Sequence, residues 1–148
     1  MLGDSTRVET PGYTPSERSI SDTFDKIFAN APGCILIASF ASLLSRVQLV
    51  IDTASRYERV LALVGRSMVN NVQMAIELGY LKMPAGMLIR AEDINKFPPD
   101  RVVIMCTGSQ GEPTSALTRI ANNTGWYASN QAIRSFSRPH LCLGTREV

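Results

Sequence analysis

The chain has 148 residues, 45% of them hydrophobic and 19% charged. That length suits one domain of roughly 100–150 residues, and the composition supports a packed core and excludes wholesale disorder. The formal net charge is +2, yet residues 1–121 carry equal numbers of basic and acidic side chains; the surplus comes from Arg134, Arg138 and Arg146 against Glu147. The main part of the chain thus lacks the bulk basic signature of a nucleic-acid binder. Any phosphate binding there must be local, through loops and a few arginines.

No apolar run approaches the roughly 18 residues that span a bilayer; the longest strong one is Cys34–Phe40. No charged stretch followed by an apolar core opens the chain, so secretion is not expected. Cys34, Cys106 and Cys142 are odd in number and widely spaced, which fits neither a disulfide framework nor a zinc motif. Cys34 and Cys106 sit in apolar runs, where a small buried thiol is the expectation. A reduced, cytoplasmic compartment follows.

In chain order, Thr14-Pro15-Ser16-Glu17 reads as a helix start, with Thr14 as N-cap, Pro15 at the first helical position and Glu17 closing a capping box. Ile20, Phe24, Ile27 and Phe28 recur at helical spacing and form one buried face. Ala31-Pro32-Gly33 stops that helix. Cys34–Ala38 is a continuous apolar run of the kind found in strands buried on both faces. A helix follows from about Ser42 to Tyr57, with Leu44, Val47, Ile51 and Ala54 inward. Arg59–Val64 is the next strand, ended by Gly65. A helix is predicted from about Met68 to Leu78, with Val69, Val72 and Ile76 inward and Gly79 as C-cap. Lys82–Pro99 is looser, with a single helical turn at Glu92–Lys96. Arg101–Cys106 is a third strong strand. The loop Gly108–Pro113 follows, and Pro113 opens a helix to about Ala121. Strands alternating with helices imply an α/β fold: a doubly wound, mostly parallel sheet with helices on both faces. From Asn122 the pattern stops. Trp126, Tyr127, Phe136 and Leu141–Leu143 are apolar but scattered, and the segment reads as neither strand nor helix.

Ligands of open parallel sheets bind outside the carboxyl ends of the strands. That rule selects Asp4-Ser5-Thr6, Phe40-Ala41-Ser42, Gly65-Arg66-Ser67-Met68 and Thr107-Gly108-Ser109-Gln110-Gly111-Glu112. All four carry a hydroxyl. Small residues let backbone N–H groups approach an anion, and a helix N-terminus favours negative charge. Arg66 is a candidate for a bidentate phosphate contact. Each loop alone is better read as an ordinary N-cap or turn; only the four together favour an anion site. Asp4 could be a metal ligand, a supporting carboxylate or a cap, and spacing alone favours the cap. Ser109 lies in Gly-Ser-Gln-Gly, one residue short of a nucleophile elbow. Walker A and dinucleotide fingerprints are absent. His140 stands alone, so it assembles no His-based metal site or triad. Trp126-Tyr127 could stack bases, with local packing as the simpler reading. Read from the residues, the chain has a candidate phosphate-binding edge and no catalytic set of its own.

Taken together, Asp4-Ser5-Thr6, the segment Pro11–Arg18, Phe40-Ala41-Ser42 with Arg46 and Gln48, Val64–Met68 and Thr107–Pro113 resemble the ribonuclease J family in order and spacing. The likeness covers about residues 2–124 and corresponds to the β-CASP domain, leaving 125–148 as a divergent tail. The resemblance implies an RNA-processing and RNA-degrading nuclease with 5′-to-3′ exonuclease and endonuclease activity. Two zinc ions in a metallo-β-lactamase domain would activate the attacking water there. It implies that Asp4 supports the metal centre and that Phe40, Ala41 and Ser42 lie near the RNA 5′-phosphate pocket. Gly108, Ser109, Gln110, Gly111 and Glu112 would flank the cleft; Ser5, Thr6, Arg66 and Ser67 complete the RNA-facing set. The parent enzyme would form homo-oligomers, mainly through regions not present here.

The chain also departs from the family pattern. The His-x-His-x-Asp-His metal motif and the later His motifs are absent, Arg7 replaces the usual Asn, and Ser45 replaces the usual His. Thr145–Val148 again resembles the family, which marks 125–144 as an insertion or a junction. No cofactor is expected in this chain, only RNA and a metallo-β-lactamase domain as partners, with no membrane. Two alternatives remain: a free-standing α/β nucleotide- or phosphate-binding module without catalysis, and an inert truncation with exposed apolar faces.

Overall fold

The computed structural model describes residues 9, 11–12, 20–122, 124 and 142–144. Thr14–Glu17, Arg7, Trp126, Tyr127, Phe136 and His140 lie outside them, as do the readings placed on them.

Five parallel strands form one sheet in the order β3-β2-β4-β1-β5. They are β1 Ile35–Ala38, β2 Val60–Val64, β3 Leu88–Ile89, β4 Val102–Cys106 and β5 Cys142–Gly144. The three long strands are apolar throughout because both faces are covered, and their residues alternate between two cores. Ile35, Ile37, Leu61, Leu63, Val103 and Met105 pack on one face with Phe24, Phe28, Val47, Val50, Ile51 and Val72. Leu36, Ala38, Ala62, Val64, Ile104 and Cys106 pack on the other with Ile94, Ala116 and Ile120. The first face therefore carries α1 Ser21–Asn30, α2 Leu44–Arg56 and α3 Arg66–Glu77. The second carries α4 Ala116–Ala121 and the 3₁₀ turn Ala91–Lys96. This is the doubly wound arrangement expected from the alternating pattern.

Several expectations are corrected in detail. The inward stripe of α3 is Met68, Val72 and Ala75, with Ile76 only partly buried and Val69 41% exposed. Both stripes have helical spacing; the sheet surface chooses between them. Pro113 does not open α4. Glu112 O accepts from Ser115 N at 3.0 Å and from Thr118 Oγ1 at 2.8 Å, holding 112–115 as a turn. Ser115 then caps α4, its Oγ accepting from Thr118 N at 3.3 Å. The loose stretch after Lys82 contributes edge strand β3, and the unpatterned tail contributes β5 beside β1. Runs of two and three residues are too short to leave a period. Gly79 follows α3 at φ +76°, as a C-terminal glycine does.

Candidate functional site: the carboxyl rim of the sheet

Register decides where the loops meet. Ala38 of β1 pairs with Cys106 of β4, and Cys106 pairs with Val64 of β2. The three strands end level, so the loops beginning at Ser39, Gly65 and Thr107 leave one rim side by side, with the β4 loop in the middle. Ser39 N donates to Cys106 O at 3.0 Å and extends the β1–β4 ladder to the rim.

Each loop is held by backbone hydrogen bonds or a glycine turn. After β1, Leu43 N donates to Phe40 O at 3.2 Å and closes a turn. Phe40 and Ser42 are exposed, while Ala41 is half-buried against the core. After β2, Gly65 turns the chain directly into α3 at φ +105°, a region L side chains avoid. A Cβ there would lie 3.0 Å from Thr107 Oγ1 and 3.4 Å from Ala116 Cβ. After β4, Gly108 at φ +115° tucks under the start of α4, where a Cβ would collide with Ser115 Oγ and Leu117 Cβ. Gly111 N donates to Gly108 O and Leu117 N to Thr107 O, both at 3.0 Å. Gln110, Gly111 and Glu112 are exposed and Ser109 half-buried.

The structure thus brings Phe40, Ala41, Ser42, Arg66, Ser67, Gly108, Ser109, Gln110, Gly111 and Glu112 to one edge. Asp4, Ser5 and Thr6 lie outside the described residues. Neither Ser42 nor Ser67 is a helix cap: α2 is preceded by Leu43 and α3 by Gly65, and neither N-terminus has a side-chain cap. At α2 backbone carbonyls take that place: Leu44 N donates to Ser42 O at 3.0 Å and Arg46 N to Leu43 O at 3.1 Å. Arg66 is exposed and forms no hydrogen bond or ion pair with a described residue. At the opposite end of the sheet, by contrast, Arg101 is paired with Glu58 at 3.0 Å. Thr107, the first residue of the segment selected after β4, stands at the centre of the rim beside Gly65.

Arg46, in the first turn of α2, is buried at 5% exposure. Among the described residues no group of three His, Cys, Asp or Glu could hold a metal ion. The rim's ionisable side chains, Arg66 and Glu112, do not fit a zinc site. Cys34 and Cys106 are buried free thiols. Among the described residues no helix is long and apolar enough to cross a membrane.

Residues 32–131 match the family model of the ribonuclease J β-CASP domain. Ribonuclease J of Synechocystis sp. is 41% identical over 122 residues, covering 82% of this chain and 19% of that protein. Ribonuclease J of Thermus thermophilus is 43% identical over 121 residues, 82% of this chain and 21% of that protein. Ribonuclease J2 of Bacillus subtilis is 40% identical over 122 residues, 82% of this chain and 22% of its own length. The chain spans about a fifth of the length of these curated relatives. With its parallel sheet, two-sided core and polar carboxyl rim, it belongs to the ribonuclease J family, of which it holds the β-CASP portion.

Proposed function

We propose that this chain is the RNA-gripping part of a ribonuclease J-type nuclease that processes and degrades RNA, and that it binds RNA 5′-phosphate ends at the carboxyl rim. The observation that carries the reading is the level ending of β1, β4 and β2. It sets the N-termini of α2 and α3, neither with a side-chain cap, and Arg66, exposed and without an ion pair among the described residues, along one edge. Helix N-termini and arginine are the groups that hold phosphate. Phe40, Ala41, Ser42, Ser67 and Gly108–Glu112 line the path of the RNA; by resemblance Asp4, Ser5 and Thr6 join this set, Asp4 as a support of the metal centre. Bond cleavage belongs to a metallo-β-lactamase domain carrying two zinc ions, the partner of this portion in the parent enzyme. That enzyme is cytoplasmic and forms homo-oligomers. Residues 1–124 make up the β-CASP-like domain and 125–148 a divergent tail.

Fluorescence anisotropy on the purified chain tests the reading. A 5′-monophosphorylated oligoribonucleotide binds more tightly than its 5′-hydroxyl counterpart, and zinc with either produces no cleavage. Equal affinity for the two ends removes the phosphate assignment. Robust zinc-dependent cleavage refutes the division of labour. Tighter binding of mononucleotides than of RNA returns the chain to a free-standing phosphate-binding module.

A further inference from the structure

We propose that Phe40 is a stacking platform on which a base of the bound RNA end lies flat. The inference rests on the RNA-binding reading and assigns a different part of the ligand, the base instead of the phosphate.

The tripeptide Phe40-Ala41-Ser42 distributes its apolar surface in an unexpected way. Ala41, the smallest apolar side chain available, packs against the core, and Leu44 does so one turn further on. Phe40 belongs to neither core cluster and is 42% exposed. Burying a phenylalanine side chain stabilises a fold by about 1.5–3 kcal/mol relative to leaving it in water; the loop forgoes much of that. The other described phenylalanines all pack against a core: Phe24 and Phe28 within one, Phe97 against the other. Phe24 and Phe28 are 2% exposed with ring centroids 6.1 Å apart.

The backbone gives Phe40 little freedom to do otherwise. Ser39, immediately before it, is 2% exposed with its N–H fixed to Cys106 O, and the Phe40 carbonyl accepts from Leu43 N. The ring therefore leaves the rim from a position anchored on both sides. Single exposed apolar side chains are common on protein surfaces, so exposure alone assigns nothing. Location does. The other large exposed apolar side chains among the described residues are Val69, Met74, Leu78, Tyr80 and Leu88, on α3, just after it, or on β3. Phe40 stands at a strand end of the phosphate-binding edge. Adjacent strands lie about 4.8 Å apart, so β4 alone separates the end of β1 from that of β2 and its Arg66. An anion held along this edge carries its base within reach of the ring. Every base has a π-face, so such a platform adds affinity without sequence preference.

The test compares two 5′-phosphorylated oligoribonucleotides of equal length, one intact and one abasic at its first three positions. Binding of each is measured to the full chain and to the F40L and F40W variants, with thermal melts confirming that each variant folds. The intact ligand binds F40L about 10-fold or more weakly than wild type, within the effect known for base–aromatic stacking. F40W retains wild-type affinity, and the abasic ligand binds all three proteins alike. An equal loss for both ligands in F40L, or no loss for either, overturns the platform while leaving the phosphate reading intact. No binding of either ligand by wild type overturns both.

Discussion

Arg59 shows how one side chain can finish an element. Only 6% exposed, it donates to Ala31 O at 2.8 Å, Gly33 O at 2.9 Å and Phe28 O at 3.3 Å. Those carbonyls end α1 and lead into β1, where a cation also meets the helix dipole favourably. Burial pulls its pKa down, and Asp100 is the main opposing influence. Arg59→Met strands the carbonyls and is expected to lower unfolding free energy by about 2–3 kcal/mol in urea titration. Next to it, burial pushes the Cys34 thiol up to about 12 from 9.0, with Arg59 pulling the other way. The folded state thus keeps a proton that the unfolded chain releases. The stability tied to this group is intact below pH 9 and declines as pH rises toward 12, by up to about 1.4 kcal/mol per unit. Cys34→Ala should flatten that part of the alkaline stability profile; an unchanged slope assigns it to other groups. At the rim, Arg66→Ala should weaken binding of phosphorylated RNA at every sequence alike. It should also lower the slope of log affinity against log salt by about one.

At the scale of elements, the loops depend on glycines more than on the side chains they display. Gly108→Ala forces φ +115° on an L residue and drives a methyl into Ser115 and Leu117. The expected result is displacement of the loop from α4, with a lower melting temperature and lost RNA binding together. Gly65→Ala is milder in contact, at 3.0 Å from Thr107 Oγ1, but carries the same backbone strain. Much of this layout is legible in the sequence. The runs in β1, β2 and β4 are apolar at every position because alternate residues face different cores, and the strand-end rule then finds Arg66 and Ser109. What sequence leaves open is set by contacts remote along the chain. Val69 and Met68 have equal helical claims on the core, and only the sheet separates them. The start of α4 depends on Glu112 O capturing Ser115 N, which no propensity reports. Ser42 and Ser67 look like caps, yet the turns after β1 and β2 place Leu43 and Gly65 at the cap positions.

At the scale of the molecule, the sheet is the shared wall of both cores, and this governs how the chain unfolds. Met105 faces the α1–α3 side while its neighbours Ile104 and Cys106 face the α4 side. A strand cannot leave one core without opening the other. Separate loss of the two layers would expose Ile104 and Leu36, both buried, to water while β4 and β1 remained paired. The apolar area involved makes that intermediate costly. The described portion should therefore unfold in one cooperative step although it corresponds to a fraction of its relatives' length. Urea titration followed by far-UV circular dichroism should give a single transition, with a slope of about 1–3 kcal/mol/M. Native-state hydrogen exchange supplies the sharper test. The amides of Ile37, Leu63 and Ile104, at the centres of β1, β2 and β4, should share one opening free energy equal to the global value. Protection of Ile104 lost ahead of Leu63 would mean that the α4 face melts first. The rim would then be a mobile edge and not the rigid platform that phosphate and base binding require.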